Sequence, residues 1–307
     1  MKILVAGGEG YLGSLVCNSL VEKHEVTSVD IGWFKTNLNS KVERLNKDIF
    51  DLYDLNSYDA VIFLAGLSND PMSDFDPKNS FAQNVGSLFH LAKIAKKSGC
   101  KRFIYANSCS IYGWQDKEVC ENDISLSETY YGVSKNLGEI SLNSLADENF
   151  SVCTFRMGTL SGHSPRMRFD LIINTMYRSI KKYNKITIHD PDIWRPILDI
   201  RDAVRAYQFA IDHPVPLKGV FNLAYGNYQI KEIGLIFQDL TNCNVETIYK
   251  KDIRNYRINT EKIRNLLFEF LYSPKDTVID LMSRNYDDLD SDKFFNIKSY
   301  RKINEKK

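Results

Sequence analysis

A glycine-rich segment directly after the first apolar run restricts what this chain can fold into. The run at 2–6 has the short, β-branched character of a buried strand, and residues 7–13 then read Gly-Gly-Glu-Gly-Tyr-Leu-Gly at the start of a helical stretch. Gly7, Gly10 and Gly13 fit the form GxxGxxG, and the offset form GxGxxG fits as well. Such glycines permit a tight turn and a close backbone approach, and the helix N-terminus presents N–H groups to a pyrophosphate. The segment therefore predicts a dinucleotide-binding loop.

Acidic residues after the next strands indicate which dinucleotide binds. Asp30 ends the second strand, 20 residues beyond Gly10, where a carboxylate accepts hydrogen bonds from a ribose 2′-hydroxyl and repels a 2′-phosphate. We therefore expect NAD (NADH) rather than NADP. Asp48 and Ile49 follow the third strand region and are candidates to face the adenine, although a solvated loop is an equal interpretation of Asp48 from the residues alone.

The first half of the chain alternates strand and helix patterns, which predicts an α/β fold with a doubly wound parallel sheet. Apolar strand-like runs lie at 2–6, 25–29, 60–65, 102–106 and 151–155, and helical stretches lie near 11–22, 80–98 and 129–146. This alternation of strand and helix patterns ends after about residue 157. We therefore expect a dinucleotide-binding core at 1–157, to which 195–224 returns, and a smaller, discontinuous substrate lobe formed by 158–194 and 225–307.

Composition excludes several classes of protein. Lys plus Arg number 40 and Asp plus Glu 39, giving a net charge of +1, which argues against nucleic acid or an anionic membrane as a partner. No apolar run approaches the roughly 18 residues of a membrane span. The immediate strand also argues against a secretory signal. Because the six cysteines show neither a CxxC pair nor metal-ligand spacing, we expect reduced thiols, no metal and a cytoplasmic location.

A Tyr-x-x-x-Lys pair and a serine-bearing strand end are candidates for catalysis. Tyr131 and Lys135 stand four residues apart in a helical stretch, so their side chains share one face. A nearby ammonium favours the phenolate, which can take a proton from a hydroxyl while the carbon loses hydride. Ser108 and Ser110 follow an apolar strand, at whose carboxyl end ligands bind, and either could hydrogen-bond the reacting hydroxyl. A plain amphipathic helix and serine turns are the simpler interpretations of these residues in isolation.

In this order, the motifs resemble the extended short-chain dehydrogenase/reductase family, and more closely its NAD-dependent epimerase/dehydratase branch, which acts on nucleotide sugars. The resemblance covers nearly the whole chain and implies a Rossmann sheet. The matching segments are 6–13, Asp30, Asp48-Ile49, Phe-Leu-Ala-Gly (63–66), Asn84-Val-Gly-Ser, Asn-Ser-Cys-Ser-Ile-Tyr-Gly (107–113), Tyr-Tyr-Gly-Val-Ser-Lys (130–135), Arg156-Met-Gly-Thr-Leu-Ser-Gly, 164–170, Trp194-Arg-Pro, Ile200-Arg-Asp202, Phe221-Asn-Leu and Arg254-Asn-Tyr-Arg257.

The resemblance implies roles for individual residues. Tyr131 matches the catalytic base, Lys135 the lysine that tunes it and holds the nicotinamide ribose, and Ser108 the residue that bonds the substrate hydroxyl. Tyr130 does not qualify, because Ser134 stands four residues after it. The implied cofactor contacts are Gly7, Gly10, Tyr11, Leu12, Asp30, Asp48, Ile49, Leu64, Ala65, Gly66 and Lys135. The implied substrate contacts are Ser108, Ser110, Arg166, Arg168, Arg195 and Arg257, with Arg254 as a competitor of Arg257 for a phosphate.

Departures from the family pattern narrow the implied reaction. The 4,6-dehydratases carry Asp-Glu after the serine or threonine, whereas this chain has Cys109 and Ser110, which cannot perform loss of water. The implied chemistry is oxidation of a sugar ring carbon, with C4 as the first candidate, by a 4-epimerase or a 4-dehydrogenase in surface polysaccharide synthesis. The nucleotide stays open among GDP, UDP, dTDP and CDP. The resemblance also implies a homodimer or higher homo-oligomer. An oxidoreductase for a non-nucleotide alcohol and a non-catalytic NAD-binding protein are the alternatives.

Overall fold

The computed structural model describes residues 1–34, 38–249 and 252–305. The strands are β1 (Lys2–Ala6), β2 (Glu25–Asp30), β3 (Glu43–Asn46), β4 (Ala60–Phe63), β5 (Arg102–Ser108), β6 (Trp114–Val119), β7 (Ser151–Met157), β8 (Thr159–Ser161), β9 (Lys185–His189), β10 (Trp194–Asp199), β11 (Gly219–Leu223), β12 (Gly226–Gln229), β13 (Asn244–Ile248) and β14 (Asn255–Ile258).

The α-helices are α1 (Gly13–Leu20), α2 (Asp70–Phe75), α3 (Pro77–Phe81), α4 (Leu88–Lys97), α5 (Tyr130–Asn143), α6 (Ile172–Tyr183), α7 (Ile200–Asp212), α8 (Ile230–Thr241), α9 (Glu261–Arg264), α10 (Pro274–Met282) and α11 (Asn296–Asn304). A π-helical turn, Ala82–Ser87, joins α3 to α4. Short 3₁₀ turns lie at Ile49–Asp51, Cys109–Tyr112 and Asp292–Phe294.

The main sheet of the described chain has seven parallel strands in the order β3-β2-β1-β4-β5-β7-β11. Its central strands are covered on both faces and therefore read as continuous apolar runs. The strand order reverses between β1 and β4, and a ligand crevice is expected at the carboxyl ends of strands beside such a switch point. The predicted α/β doubly wound fold is confirmed. The sequence analysis assigned no apolar run to β3, because this edge strand is largely exposed.

Helices cover both faces of the main sheet, and the alternation of side chains along β1 shows how. Ile3 and Val5 point into the core shared with α1 and α7, whereas Leu4 and Ala6 point into the core shared with α4 and α5. Neighbouring residues of a strand face opposite sides of the sheet, so the four successive apolar residues Ile3 to Ala6 serve two cores. This packing fixes the carboxyl end of β1, from which the glycine-rich loop leaves the sheet.

Three smaller sheets of the described chain, built from β6 and from strands of the second half, lie outside the main sheet. They are β12-β10-β8, β13-β9 and β14-β6. The segment 195–224 contributes to both parts, because β10 pairs with β8 and β12, whereas α7 packs against α1 and β11 pairs with β7. The division into a core and a substrate lobe stays a prediction. Within the described ranges no helix has the length and apolarity to cross a bilayer.

Candidate active site

A cavity of about 630 Å³ opens at the carboxyl ends of the central strands. Most of the site residues expected from the sequence line it. These are Gly7, Gly10, Tyr11, Leu12, Asp30, Asp48, Ile49, Leu64, Ala65, Gly66, Ser108, Ser110, Tyr131, Lys135, Arg166, Arg168 and Arg195. Its position beside the β1–β4 switch point is where an open α/β sheet binds ligands.

The glycine-rich loop has the geometry that a dinucleotide requires. Gly7 has φ +80°, and a Cβ there would lie 2.7 Å from the Ala65 amide nitrogen. A Cβ on Gly13 would overlap the Gly7 carbonyl oxygen, so glycine lets α1 begin directly against the loop. The residues at which α1 begins, Tyr11, Leu12 and Gly13, line the cavity, so the positive end of the helix dipole is directed toward it.

Two acids lie beside this loop. Asp30 accepts hydrogen bonds from the N–H groups of Glu9 (3.1 Å) and Gly32 (3.0 Å), and burial raises its pKa. Asp48 caps the 3₁₀ turn after β3 by accepting from the Phe50 N–H at 3.0 Å. Both carboxylates line the cavity, so the donor and acceptor set at this end suits an adenosine and its ribose.

The Tyr-x-x-x-Lys pair lies on the first two turns of α5. Thr129 caps this helix by accepting from the Gly132 N–H at 3.0 Å, which fixes where the helix begins. Tyr131 is buried and faces the cavity, whereas its neighbour Tyr130 is half exposed and points elsewhere. Lys135 follows one turn later on the same face and also lines the cavity.

Burial sets the protonation of both members of the pair. Lys135 Nζ donates to the Ala106 carbonyl oxygen at 2.6 Å and lies 4.6 Å from the centre of the Tyr105 ring. Burial lowers the pKa of Lys135 to about 7. Burial also raises the pKa of Tyr131, while hydrogen bonding with Ser108 and the charge of Arg168 act in the opposite direction. A phenol in this position needs further positive charge before it can serve as a base at neutral pH.

The end of β5 presents the serines. Ser108 Oγ accepts from the Ser110 N–H at 3.1 Å and lies 3.1 Å from Ser110 Oγ, which turns the chain into the following 3₁₀ segment. Ser108 is partly buried, faces Tyr131 and lines the same cavity. The structure thus brings Ser108, Tyr131 and Lys135 together, as the sequence pattern predicts for a hydroxyl-oxidising site.

A buried polar network behind this site was missed from the sequence. Glu139 lies one turn after Lys135 on α5 and pairs with Arg156 of β7, with contacts of 2.5 and 3.0 Å. Asn107 donates to Glu139 at 2.5 Å and accepts from the Ser108 N–H at 2.8 Å. The network therefore connects the end of β5 to α5, the helix that carries Tyr131 and Lys135. Its signal in the sequence was an acid on the otherwise buried face of α5.

Asn84, to which the sequence analysis assigned no role, joins three elements. It lies in the π-helical turn, and its side-chain amide donates to Ser134 Oγ at 2.9 Å and to the Leu67 carbonyl oxygen at 3.1 Å. A Cβ on Gly66, whose φ is +125°, would overlap the side-chain Oδ1 of Asn84. Asn84 thus holds the loop after β4 against α5.

One expected substrate contact does not reach the cavity. Arg257 is not among the residues that line it. Its guanidinium donates to the Asp116 carbonyl oxygen at 2.7 Å and lies 5.3 Å from the Trp194 ring. Arg254, the competing candidate, lines the cavity and pairs with Asp70 at 2.6 Å. Arg254 immediately precedes β14 and, like Tyr256 two residues later, lines the cavity, whereas the neighbouring Arg257 takes the other face of the strand.

The other arginines differ in their partners. Arg195 is buried and bonds to the Arg254 carbonyl oxygen (2.6 Å) and to Asp252 (2.9 Å). Arg168 pairs with Asp170 at 2.8 Å. Arg166 is buried as well, but none of its guanidinium nitrogens has a hydrogen-bond partner among the residues that the structure describes.

Comparison with known proteins identifies the family. The sequence model of the NAD dependent epimerase/dehydratase family matches residues 3–224. The chain belongs to this family. The resemblance that the motifs indicated and the prediction of an enzyme of this class are thereby confirmed.

Relatives and solved structures of similar proteins agree with this membership. A UDP-glucose 4-epimerase of Bacillus subtilis is 27% identical over 259 residues, which are 72% of this chain and 74% of that protein. MoeE5 in complex with UDP-glucose and NAD has a TM-score of 0.81 at 22% identity, covering 92% of this chain and 98% of that one. A Bacillus cereus UDP-glucuronic acid 4-epimerase bound to UDP-glucuronic acid and NAD also has a TM-score of 0.81, at 21% identity and with coverage of 92% and 98%. At sequence identities of 22% and 21%, the likeness to these two solved structures concerns the fold alone.

Proposed function

We propose that this member of the epimerase/dehydratase family oxidises the C4 hydroxyl of a nucleotide sugar, with NAD as the hydride acceptor. The observation that carries the proposal is the meeting of Ser108, Tyr131 and Lys135 in the cavity that Asp30 and the glycine-rich loop also line. This set fits NAD, because a carboxylate at Asp30 favours a free ribose 2′-hydroxyl over a 2′-phosphate. When bound, NAD supplies the acceptor for the hydride that leaves C4.

The residues of the chain would move the proton. Ser108 holds the C4 hydroxyl by a hydrogen bond, and the Tyr131 phenolate accepts the hydroxyl proton as the C4 hydrogen departs with its electron pair. The C4–O bond becomes a carbonyl, and the sugar becomes a 4-keto sugar. Lys135 stabilises the phenolate through its charge. Because burial raises the pKa of Tyr131, the positive charges of Lys135 and the oxidised cofactor are both needed for this role.

The substrate nucleotide would bind at the other end of the cavity. Arg195 and Arg254 lie beside Tyr256 there, and a forked guanidinium suits a diphosphate. The relatives named for UDP-glucose favour UDP among the four nucleotides considered. This concentration of arginines argues against a non-nucleotide alcohol as substrate, and the intact Tyr131 and Lys135 argue against a non-catalytic NAD-binding protein.

The fate of the 4-keto sugar separates a 4-epimerase from a 4-dehydrogenase. In a 4-epimerase the hydride returns to the opposite face of C4, and the Tyr131 phenol gives the proton back. The relatives named as 4-epimerases favour this outcome. A net dehydrogenase would release the keto sugar and need a second substrate as oxidant. A cytoplasmic location, a homo-oligomeric assembly and a role in surface polysaccharide synthesis complete the proposal.

The first experiment is to denature the purified protein and identify the dinucleotide that it releases. Incubation with UDP-, GDP-, dTDP- and CDP-hexoses, followed by mass spectrometry and NMR of the sugars, then identifies the reaction. We expect NAD or NADH, and a C4 epimer or a product two mass units lighter. Released NADP, or no binding of any dinucleotide, would contradict the proposal, and so would the absence of turnover with all four nucleotides.

A further inference from the structure

One charged side chain in the cavity lacks every partner that its chemistry requires. Arg166 is 5% exposed, and its Nε and both Nη atoms are buried without a hydrogen-bond partner within residues 1–34, 38–249 and 252–305. A guanidinium carries five N–H donors, and leaving such a group buried and unpaired is strongly unfavourable. Burial accordingly lowers the pKa of Arg166 to about 9. Arg166 lines the cavity, so a ligand there can supply the missing anion.

No acid of the described chain fills this role. The carboxylate that acts most on Arg166 is Asp170, and it is already engaged. It accepts from Arg168 at 2.8 and 3.2 Å, from the Asn69 side chain at 3.0 Å and from the Asn296 N–H at 3.2 Å. The charge of Arg168 adds to the positive potential at Arg166. The two arginines therefore leave a net positive charge at this wall of the cavity.

The segment that carries Arg166 is attached to the glycine-rich loop. Ser164 Oγ donates to the Tyr11 carbonyl oxygen at 2.6 Å and accepts from the Arg166 N–H at 3.3 Å. Tyr11 in turn donates its phenol proton to the Gly162 carbonyl oxygen at 2.7 Å. These bonds hold the backbone of 162–166 against the residues that begin α1.

The guanidinium itself lies toward the adenosine end of the cavity. It lies 3.7 Å from the centre of the Phe34 ring, four residues after Asp30. Phe34 lies in the segment after β2, and the backbone of 162–166 contacts the glycine-rich loop, so the surroundings of the guanidinium belong to the cofactor side of the cavity. Arg195 and Arg254, in contrast, belong to β10 and the start of β14, on the substrate side.

We propose that Arg166 binds the diphosphate of the dinucleotide cofactor, and not that of the nucleotide sugar as the sequence pattern suggested. The α1 N-terminus offers N–H groups to one side of the diphosphate, and the Arg166 fork closes on it from the substrate lobe, with Phe34 fixing the plane of the fork. The inference rests on the proposed function, because it takes a dinucleotide to be the resident cofactor.

The test compares cofactor binding with nucleotide binding in matched variants. Arg166→Met removes the charge and keeps the length of the side chain, Arg166→Lys keeps the charge without the fork, and Arg264→Met changes an exposed arginine outside the cavity as a control. Calorimetry on cofactor-free protein gives the Kd of NAD and of ADP-ribose, which keeps the diphosphate but lacks nicotinamide. Calorimetry on NAD-saturated protein gives the Kd of the nucleoside diphosphate, UDP first, that binds the wild type.

We expect Arg166→Met to weaken NAD and ADP-ribose by about 30-fold or more, since loss of one partner of a buried charge pair has effects of that size. The NAD and ADP-ribose affinities of Arg166→Lys should lie between those of the wild type and those of Arg166→Met. The UDP affinity of both variants should change by less than threefold. Because the substitution removes a buried unpaired charge, the Tm of cofactor-free Arg166→Met should equal or exceed that of the wild type, which a merely structural role would not produce.

Other results would overturn the inference and leave the proposed function in place. Unchanged NAD affinity in both Arg166 variants would overturn it. Loss of UDP affinity alone would mean that Arg166 binds the substrate and not the cofactor. If Arg166→Met fails to fold, Arg166→Lys carries the same comparison. A wild-type protein that binds no dinucleotide would instead contradict the proposed function itself.

Discussion

Two buried arginines of the described chain differ in one respect. Arg156 is 6% exposed and Arg166 5%, so burial does not separate them. Arg156 bonds twice to Glu139, to the Tyr112 phenol at 2.8 Å and to the Glu121 carbonyl oxygen at 2.9 Å. Arg166 bonds to nothing in the described chain through its guanidinium. The chain completes one region by itself, and the other region needs a ligand.

This difference indicates how to separate structural from functional charge in a fold of this kind. A buried ion supplied with all its hydrogen bonds positions the elements that carry it, here α5 and β7. A buried ion without partners is an unfavourable feature that binding energy can offset. From this comparison we expect that substitutions in the network around Glu139 change the free energy of unfolding. Substitutions at the cavity wall should instead change binding or turnover.

The largest expected effect is on turnover, at Tyr131. Tyr131→Phe removes the group that would accept the C4 proton and should lower kcat by about a thousandfold, within the usual range for loss of a general base. The unfolding midpoint and NAD affinity should stay near the wild type, because the phenyl ring still fills the site. Steady-state kinetics and calorimetry measure these quantities. Tyr130→Phe, one residue away and half exposed, is the control and should leave kcat unchanged. Wild-type turnover in Tyr131→Phe would remove Tyr131 from its role as base.

The next effect is on stability, at the internal network. Arg156→Met leaves Glu139 buried without its partner and should lower the free energy of unfolding by about 3–5 kcal/mol. Urea denaturation of cofactor-free protein measures this loss. The double variant with Glu139→Gln should recover part of it, since no charge then stays buried and unpaired. If Arg156→Met is as stable as Arg166→Met is expected to be, the distinction between the two regions fails.

The sequence predicted the parts of this site that depend on local motifs. The glycine-rich loop, the end of β2 and the Tyr131–Lys135 pair were predicted because a tight turn, a strand end and one helical turn are each determined by neighbouring residues. The Glu139–Arg156 pair joins residues 17 positions apart on two different elements, and no local pattern indicates it. The burial of Arg166 depends on how residues 162–166 pack on the glycine-rich loop, which is also a tertiary contact.

For a similar reason, the sequence did not predict that Arg254, and not Arg257, lines the cavity. Strand β14 pairs with β6 with an irregular register between Asn255 and Arg257, so which residues face the cavity depends on the pairing. A shift of one residue moves every side chain of a strand to its other face. Both arginines follow the same loop, and only the observed pairing of β14 separates them.

The pairing of β14 with β6 leads to a prediction about substrate binding, with a smaller expected effect than the two above. Arg254→Met should weaken the productive nucleoside diphosphate by about tenfold or more through loss of a charge-assisted contact, with NAD affinity unchanged. Arg257→Met, its matched control on the opposite face of β14, should change the same Kd by less than twofold. Titration of NAD-saturated protein measures both values. An equal loss in the two variants would mean that β14 lies in another register when substrate binds.

The smallest effect is a pH dependence of stability that arises from Lys135. Burial lowers its pKa from 10.5 to about 7 in the folded protein, so between these values the unfolded chain binds more protons than the folded one. The free energy of unfolding then rises with pH through this window, and the full penalty of the buried ammonium is present below pH 7. Lys135→Met removes this contribution. The stability of the variant relative to the wild type should therefore be greatest near pH 6 and should shrink steadily toward pH 10, as measured by urea denaturation of cofactor-free protein. A constant difference across that range would show that Lys135 keeps an ordinary pKa, and its donation to the Ala106 carbonyl would then suffice to hold a charged ammonium in the cavity wall.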